Sequence, residues 1–151
     1  MSQNFLSRRG SCLVPDTLTP ARRSANMRAV KSKNTKPEML VRRMVFAQGH
    51  RFRLHARELP GKPDIVFRPR KKCVFVHGCF WHLHDAPSCK DARLPKSNRR
   101  YWGPKLRRNK ARDAGHLAAL KKLGWKTLVI WECETRKPEK LKKRLEKFLA
   151  G

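Results

Sequence analysis

Asp64-Ile65-Val66-Phe67-Arg68-Pro69-Arg70-Lys71-Lys72-Cys73-Val74-Phe75-Val76-His77 is the stretch on which the fold turns. Two short runs rich in β-branched and aromatic residues flank a basic, proline-bearing turn, and that spacing predicts a hairpin. Leu59-Pro60-Gly61-Lys62-Pro63 is the turn that leads into it. Before that turn, His50–His55 alternates, with Phe52 and Leu54 on one side, and reads as a further strand. Earlier still, Thr35-Lys36-Pro37-Glu38 has capping-box spacing with proline near the helix start. Leu40, Val41, Met44 and Val45 then share a helical face, and Gly49 is the stop signal. Downstream, Pro104–Leu123 reads as a helix with Leu117, Leu120 and Leu123 apolar and Gly124 ending it. Trp125–Trp131 is a continuous apolar run, the pattern of a strand buried on both faces. A last helix, Pro138–Leu149, offers Leu141, Leu145 and Phe148 to a core. Helix, three strands, loop, helix, strand, helix predicts an α/β domain with a mixed central sheet flanked by helices.

The chain has 151 residues, a length for one hydrophobic core. Its 38 Lys+Arg against 11 Asp+Glu give a formal charge of +27, while 39% of residues are hydrophobic. That apolar content is too high for a purely disordered basic tail. The charge disfavours small acidic substrates as the main partner and points to a polyanion, nucleic acid first. No apolar run is long enough for a transmembrane helix. The arginines near the N-terminus are not followed by the apolar segment of a secretory signal. A soluble, intracellular protein is expected. Residues 1–21 mix Ser, Arg and Pro without periodicity and read as a disordered basic arm; residues 22–151 read as a single domain. Within that domain, Arg22 to Lys36 is strongly basic around Met27 and Val30, as a short helix or an extended strap.

The chemistry concentrates in the loop between the third strand and the next helix, a length that in a compact domain signals function or a metal staple. It opens His77-Gly78-Cys79-Phe80-Trp81-His82-Leu83-His84, with Cys89 just beyond. Five cysteines are too few and too scattered for a disulfide framework, and clustered Cys and His read first as metal ligands. A structural zinc ion needs four such ligands in a tetrahedron, and Cys79, His84, Cys89 and Cys133 supply a set. The competing reading is ordinary buried thiols beside a surface histidine. His77 and His82 are then spare. A neutral imidazole beside a basic groove suits acid–base work on phosphodiesters, although His77 also fits a polar strand end and His82 a fifth zinc ligand. Asp64 is a scarce acid in a positive field and a natural oxygen ligand for Mg²⁺; Pro-Asp is equally a common turn. Glu38 fits its capping box. Asp113 can orient a histidine or pair with Arg112 or Lys110. Phe80 and Trp81 can be satellite core, or wedges that open a base stack, with Met27 as a second wedge or a plain helix contact.

Taken together, Pro63-Asp64, His77-Gly78-Cys79-Phe80-Trp81-His82, Trp131-Glu132-Cys133 and Asn26-Met27-Arg28 resemble the very short patch repair (Vsr-type) DNA mismatch endonucleases. The similarity runs from about Arg22 to Leu149. It implies a restriction-endonuclease-like core with a structural zinc site. The implied activity is nicking of double-stranded DNA 5′ of the thymine in T:G mismatches, which arise when 5-methylcytosine deaminates. Carried over by motif, Asp64 resembles the Mg²⁺-binding carboxylate, helped by the backbone carbonyl of Val76. His82 resembles the general base steered by Asp113, and His77 a second catalytic histidine. Glu38 and Asn109 match supporting positions. Cys79, His84, Cys89 and Cys133 match the zinc ligands; Met27, Phe80 and Trp81 match the intercalating side chains. Two departures stand out. The gap Asp85 to Ser88 before Cys89 is longer than the family usually has, which leaves Asp85 as a substitute ligand. The wider superfamily's second carboxylate, on the strand ending at His77, is missing, as it is throughout the Vsr-type family. The resemblance further implies a monomer in a bacterial-type cytoplasm at the nucleoid, with mismatch-repair proteins as partners. The rival is a zinc-dependent DNA-binding module without catalysis.

Overall fold

The structure is a computed structural model and describes residues 19–30 and 32–151; the expected arm up to residue 18, with Cys12, lies outside the described residues. The chain divides into two compact units, the first ending at Lys31 and the second Ser32–Gly151. In the first, α1 (Pro20–Ala29) is a short helix capped by the Thr19 side chain, with Met27 exposed on it. The basic strap is thus helical as far as Ala29, and the helix begins at Pro20, one residue before the expected end of the arm.

The second unit is a four-stranded mixed sheet with helices on both faces. α2 (Lys36–Ala47) starts at Thr35, whose hydroxyl accepts the Glu38 N–H. The sheet order follows the chain: β1 (Arg53–Leu54), β2 (Ile65–Phe67), β3 (Lys72–His77) and β4 (Lys126–Trp131). β1–β2 and β2–β3 pair antiparallel, whereas β3 and β4 run parallel from Lys72↔Lys126 to His77↔Trp131. A parallel neighbour requires a crossover, and α3 (Arg99–Lys122) provides it. α4 (Pro138–Ala150) completes the chain.

The period-2 pattern of β2 and β3 explains the layers. On one face Ile65, Phe67, Val74 and Ile130 meet Val41 and Val45 of α2 and Leu141, Leu145 and Leu149 of α4. On the other, Val66, Cys73 and Phe75 meet Leu120, with Leu117 packed alongside. Each fully buried aliphatic side chain here contributes roughly 1.5–3 kcal/mol.

Four expectations change. The first strand shrinks to two residues, and Leu54 is exposed while Phe52 packs on the core; a short edge strand limits stray pairing. β4 is not buried on both faces: only Ile130 in it is buried, because among the described residues no strand lies beyond it. α3 begins five residues before Pro104 and carries that proline inside, where one N–H is lost. Edge-to-face contacts of Trp102 with Phe80 and Trp81 hold this extra turn in place. Leu123 is exposed, and Leu149 takes the fully buried place expected of Phe148. Among the described residues no helix is long and apolar enough to cross a membrane.

Candidate active site and metal centre

The C-terminal ends of β3 and β4 carry the site. Asp64, one residue before β2, donates its backbone N–H to Val74 and turns its carboxylate back along β3. There Oδ2 accepts the Val76 N–H at 2.8 Å. The preceding turn is fitted closely against α3: a Cβ on Gly61, at φ +75°, would lie 2.9 Å from His116. Burial pushes the Asp64 carboxyl up to about 6, with the Glu38 charge adding to the rise; the Val76 N–H and the Arg42 guanidinium oppose it.

His77 closes β3. It is 7% exposed and stacks flat on His82, ring centroids 3.9 Å apart and planes at 6°, with the edge of Trp131 at 5.4 Å. Burial, and then the positive charge His82 can carry, bring the His77 imidazole down to about 4, partly offset by Asp113, so it is neutral at pH 7. His82 sits in successive turns after Gly78, its backbone N–H bonded to the Gly78 carbonyl. Its Nδ1 meets Asp113 Oδ2 of α3. A carboxylate can only accept, so Nδ1 carries a proton, and in the neutral ring it is Nε2 that keeps the lone pair. Arg112 lies 4.0 Å from the other Asp113 oxygen, and Lys110 pairs with Asp85 instead. His77, His82 and Asp113 also lie close enough to surround an ion. The flat stack and the committed Nδ1 argue against it, because parallel rings direct their in-plane lone pairs side by side.

Asp64, His77, His82, Asp113 and Glu38 all line one cleft of about 770 Å³, with Arg57, Lys62 and Arg112 among the cations around it. Glu38 is buried and binds the Asn34 N–H and the Arg42 guanidinium at 3.1 Å. Its capping and cleft roles are therefore one placement. Asn109 of α3 donates to the Trp81 carbonyl at 3.3 Å and ties down the aromatic loop. Phe80 and Trp81 are half-buried and meet edge to face at 5.1 Å. Trp102 stands 5.4 and 5.9 Å from them, making a triad.

Behind the loop, Cys79, His84, Cys89 and Cys133 bring their ligand atoms within 4.8 Å of one another. Contacts between distant parts of the chain hold three of them: the Cys133 N–H points at Cys79 Sγ, Cys133 Sγ is 3.4 Å from His84 Nδ1, and His84 stacks on Trp131 at 4.2 Å. Burial raises the Cys79 thiol to about 12 and raises Cys133. Cys89 is also pushed up by burial, but the N–H groups of Asp91 and Ala92 turn the balance downward. Three thiols and an imidazole, none in a disulfide, are a soft donor set. Asp85 is exposed and stands outside the cluster.

Several contributors were not singled out from the sequence. Trp102 lay in what read as loop, although its neighbours Tyr101 and Lys105 mark an aromatic–cation surface. Arg42 and His55 become neighbours only once α2 is laid against the sheet.

A sequence profile described as DNA mismatch endonuclease Vsr matches residues 15–88. The type II nicking enzyme V.XorIIP of Xanthomonas oryzae is 48% identical over 136 residues, covering 90% of this chain and 98% of the relative. V.NmeAIP of Neisseria meningitidis, also a type II nicking enzyme, is 42% identical over 90% of this chain and 95% of its own. The DNA mismatch endonuclease Vsr of Escherichia coli is 36% identical over 91% of this chain and 90% of its own.

Proposed function

The chain belongs to the Vsr family of DNA mismatch endonucleases, and on that premise we propose that it nicks double-stranded DNA 5′ of the thymine in T:G mismatches. The observation that carries this reading is one cleft lined by the half-buried Asp64 carboxylate, two stacked histidines and an orienting aspartate. In this reading residues 22–151 act as one endonuclease domain on a restriction-endonuclease-like core.

His82 is the general base: Asp113 holds its Nδ1 proton, and the free Nε2 takes a proton from the attacking water. His77, neutral and dry, steadies that ring and faces the scissile phosphate. Glu38 and Asn109 support from either side. Asp64 fits a hard cation, since among the described residues no side-chain cation is bonded to its carboxylate, and the Val76 backbone, whose N–H it accepts, passes beside it. Mg²⁺ held there supplies stabilisation of the attacking and leaving oxygens. A T:G wobble stacks poorly, so opening it costs less than opening a matched pair. Phe80, Trp81 and Trp102 present rings for insertion, with Met27 on α1 as a further wedge; ring–base stacking is worth roughly 1–3 kcal/mol per base.

The testing experiment incubates a T:G duplex, and its T:A counterpart, with Mg²⁺ or EDTA. One nick on the T strand, only with the mismatch and only with Mg²⁺, is expected; binding without a nick is the outcome of the non-catalytic module. If the protein neutralises about 6–10 phosphates, affinity falls roughly 10³–10⁵-fold between 50 and 200 mM salt, which a filter-binding titration measures.

The thiol–imidazole cluster fits zinc, which would fasten the catalytic loop to the segment after β4. Elemental analysis should find about one zinc per chain. Cys133→Ser should lose it and several kcal/mol of stability, with a fall in Tm of roughly 10 °C or more. A variant as stable as the parent, or a parent that folds without zinc, would remove the staple from the account.

A further inference from the structure

Asp64 Oδ2 is fixed by the Val76 N–H, but Oδ1, the oxygen left for other work, faces a different neighbour. The β1–β2 register, Arg53↔Val66 and Leu54↔Ile65, continues one step, with the His55 N–H donating to the Asp64 carbonyl at 3.2 Å. At that step His55 adopts φ +48°, a left-handed conformation that is strained for a residue with a Cβ. This conformation brings its ring beneath the carboxylate, with Nδ1 at 3.9 Å from Oδ1. On the ring's far side, Arg42 of α2 places Nη2 3.0 Å from His55 Nε2 and 3.1 Å from Glu38 Oε2. Its Nη1 is fixed by Asn34 Oδ1 at 2.8 Å.

An arginine can only donate. His55 Nε2 must therefore accept, which leaves the ring neutral with its proton on Nδ1, the nitrogen nearer Asp64. We propose that Arg42 and His55 are positioning residues: Arg42 fixes the His55 tautomer, and the His55 Nδ1–H holds Asp64 Oδ1 in the orientation used to bind the divalent cation. At 3.9 Å the link is longer than a hydrogen bond and acts as an oriented dipole until the carboxylate turns toward it. The proposal rests on Asp64 being the cation ligand, while the tautomer itself does not. Partners of this kind are worth about 10–100-fold in metal affinity.

Nitrogen-15 NMR of histidine-labelled full-length protein at pH 7–8 reads the tautomer directly. His55 should carry its proton on Nδ1, and Arg42→Met should convert it to a mixture or to Nε2–H. An Nε2 proton in the parent overturns the proposal whatever the variants do. A Mg²⁺ titration, followed both by nicking and by the Mg²⁺-induced rise in Tm, supplies the second test. His55→Leu should raise the half-saturating Mg²⁺ about 10–100-fold and change the rate at saturation far less. His55→Asn, whose amide N–H occupies the place of Nδ1–H, should bring the midpoint back to within about threefold. An unchanged midpoint in His55→Leu overturns the positioning role. If Asp64→Asn keeps the same Mg²⁺-induced rise in Tm, it is the cation assignment that fails, and the NMR result then stands or falls alone.

Discussion

Asp64→Asn abolishes nicking of a T:G duplex, lowering the single-turnover rate at least about 10³-fold, while duplex affinity stays within about threefold. The asparagine keeps the size and the bond from the Val76 N–H but lacks the charge that holds a hard cation. Stabilisation of transition-state charge is often the largest single contribution to a rate, which sets the scale. Affinity for DNA is spread over a chain of charge +27, so one neutralised carboxylate changes it little. The same variant should be more stable than the parent when Mg²⁺ is absent. Burial raises the carboxyl from 3.8 to about 6, so the folded protein holds that proton more tightly than the unfolded chain does. Below pH 4 both states are protonated and there is no penalty. As pH climbs from 4 to 6 the unfolded chain ionises first and stability is lost, and above 6 the full cost remains. That cost is at most about 3 kcal/mol. Thermal melts in EDTA-free, Mg²⁺-free buffer should show Asp64→Asn ahead by roughly 5 °C at pH 7.5 and level with the parent near pH 4. An active variant, or one destabilised at pH 7.5, would contradict the assignment.

The second large effect falls on His82. Its replacement by alanine removes the Nε2 lone pair and leaves Asp113 facing empty space, and the rate should drop about 10²–10⁴-fold. Asp113→Asn is the sharper version. The amide cannot hold the Nδ1 proton in the same way, so His82 can flip tautomer and lose much of the same factor although the imidazole is still present. Full activity in either variant would take the pair out of the mechanism.

Much of this site is legible in the sequence. The hairpin of β2 and β3 follows from alternation and a basic turn, and it places Asp64 and His77 at neighbouring strand ends. Cys79, His84 and Cys89 are dense enough in one loop to suggest a staple, and Cys133 follows a strand whose parallel pairing with β3 brings it alongside. What sequence spacing could not supply was cross-chain adjacency. Trp102 joins Phe80 and Trp81 only because α3 begins before its proline. Leu54 faces solvent because β1 is an edge, which alternation alone does not reveal. Arg42 and His55, thirteen residues apart, meet only when α2 is laid against the sheet. Glu38 reads locally as a cap; its second role in the cleft is a matter of which face α2 buries.

The central claim is that Asp64 and His82 act together on one phosphodiester, and a double-variant cycle addresses it most directly. Single-turnover nicking of a T:G duplex is measured for the parent, Asp64→Asn, His82→Ala and the double variant. Groups that work as a unit are strongly non-additive, so the double variant should be within about threefold of the slower single. Losses that multiply, as for independent sites, would contradict the account.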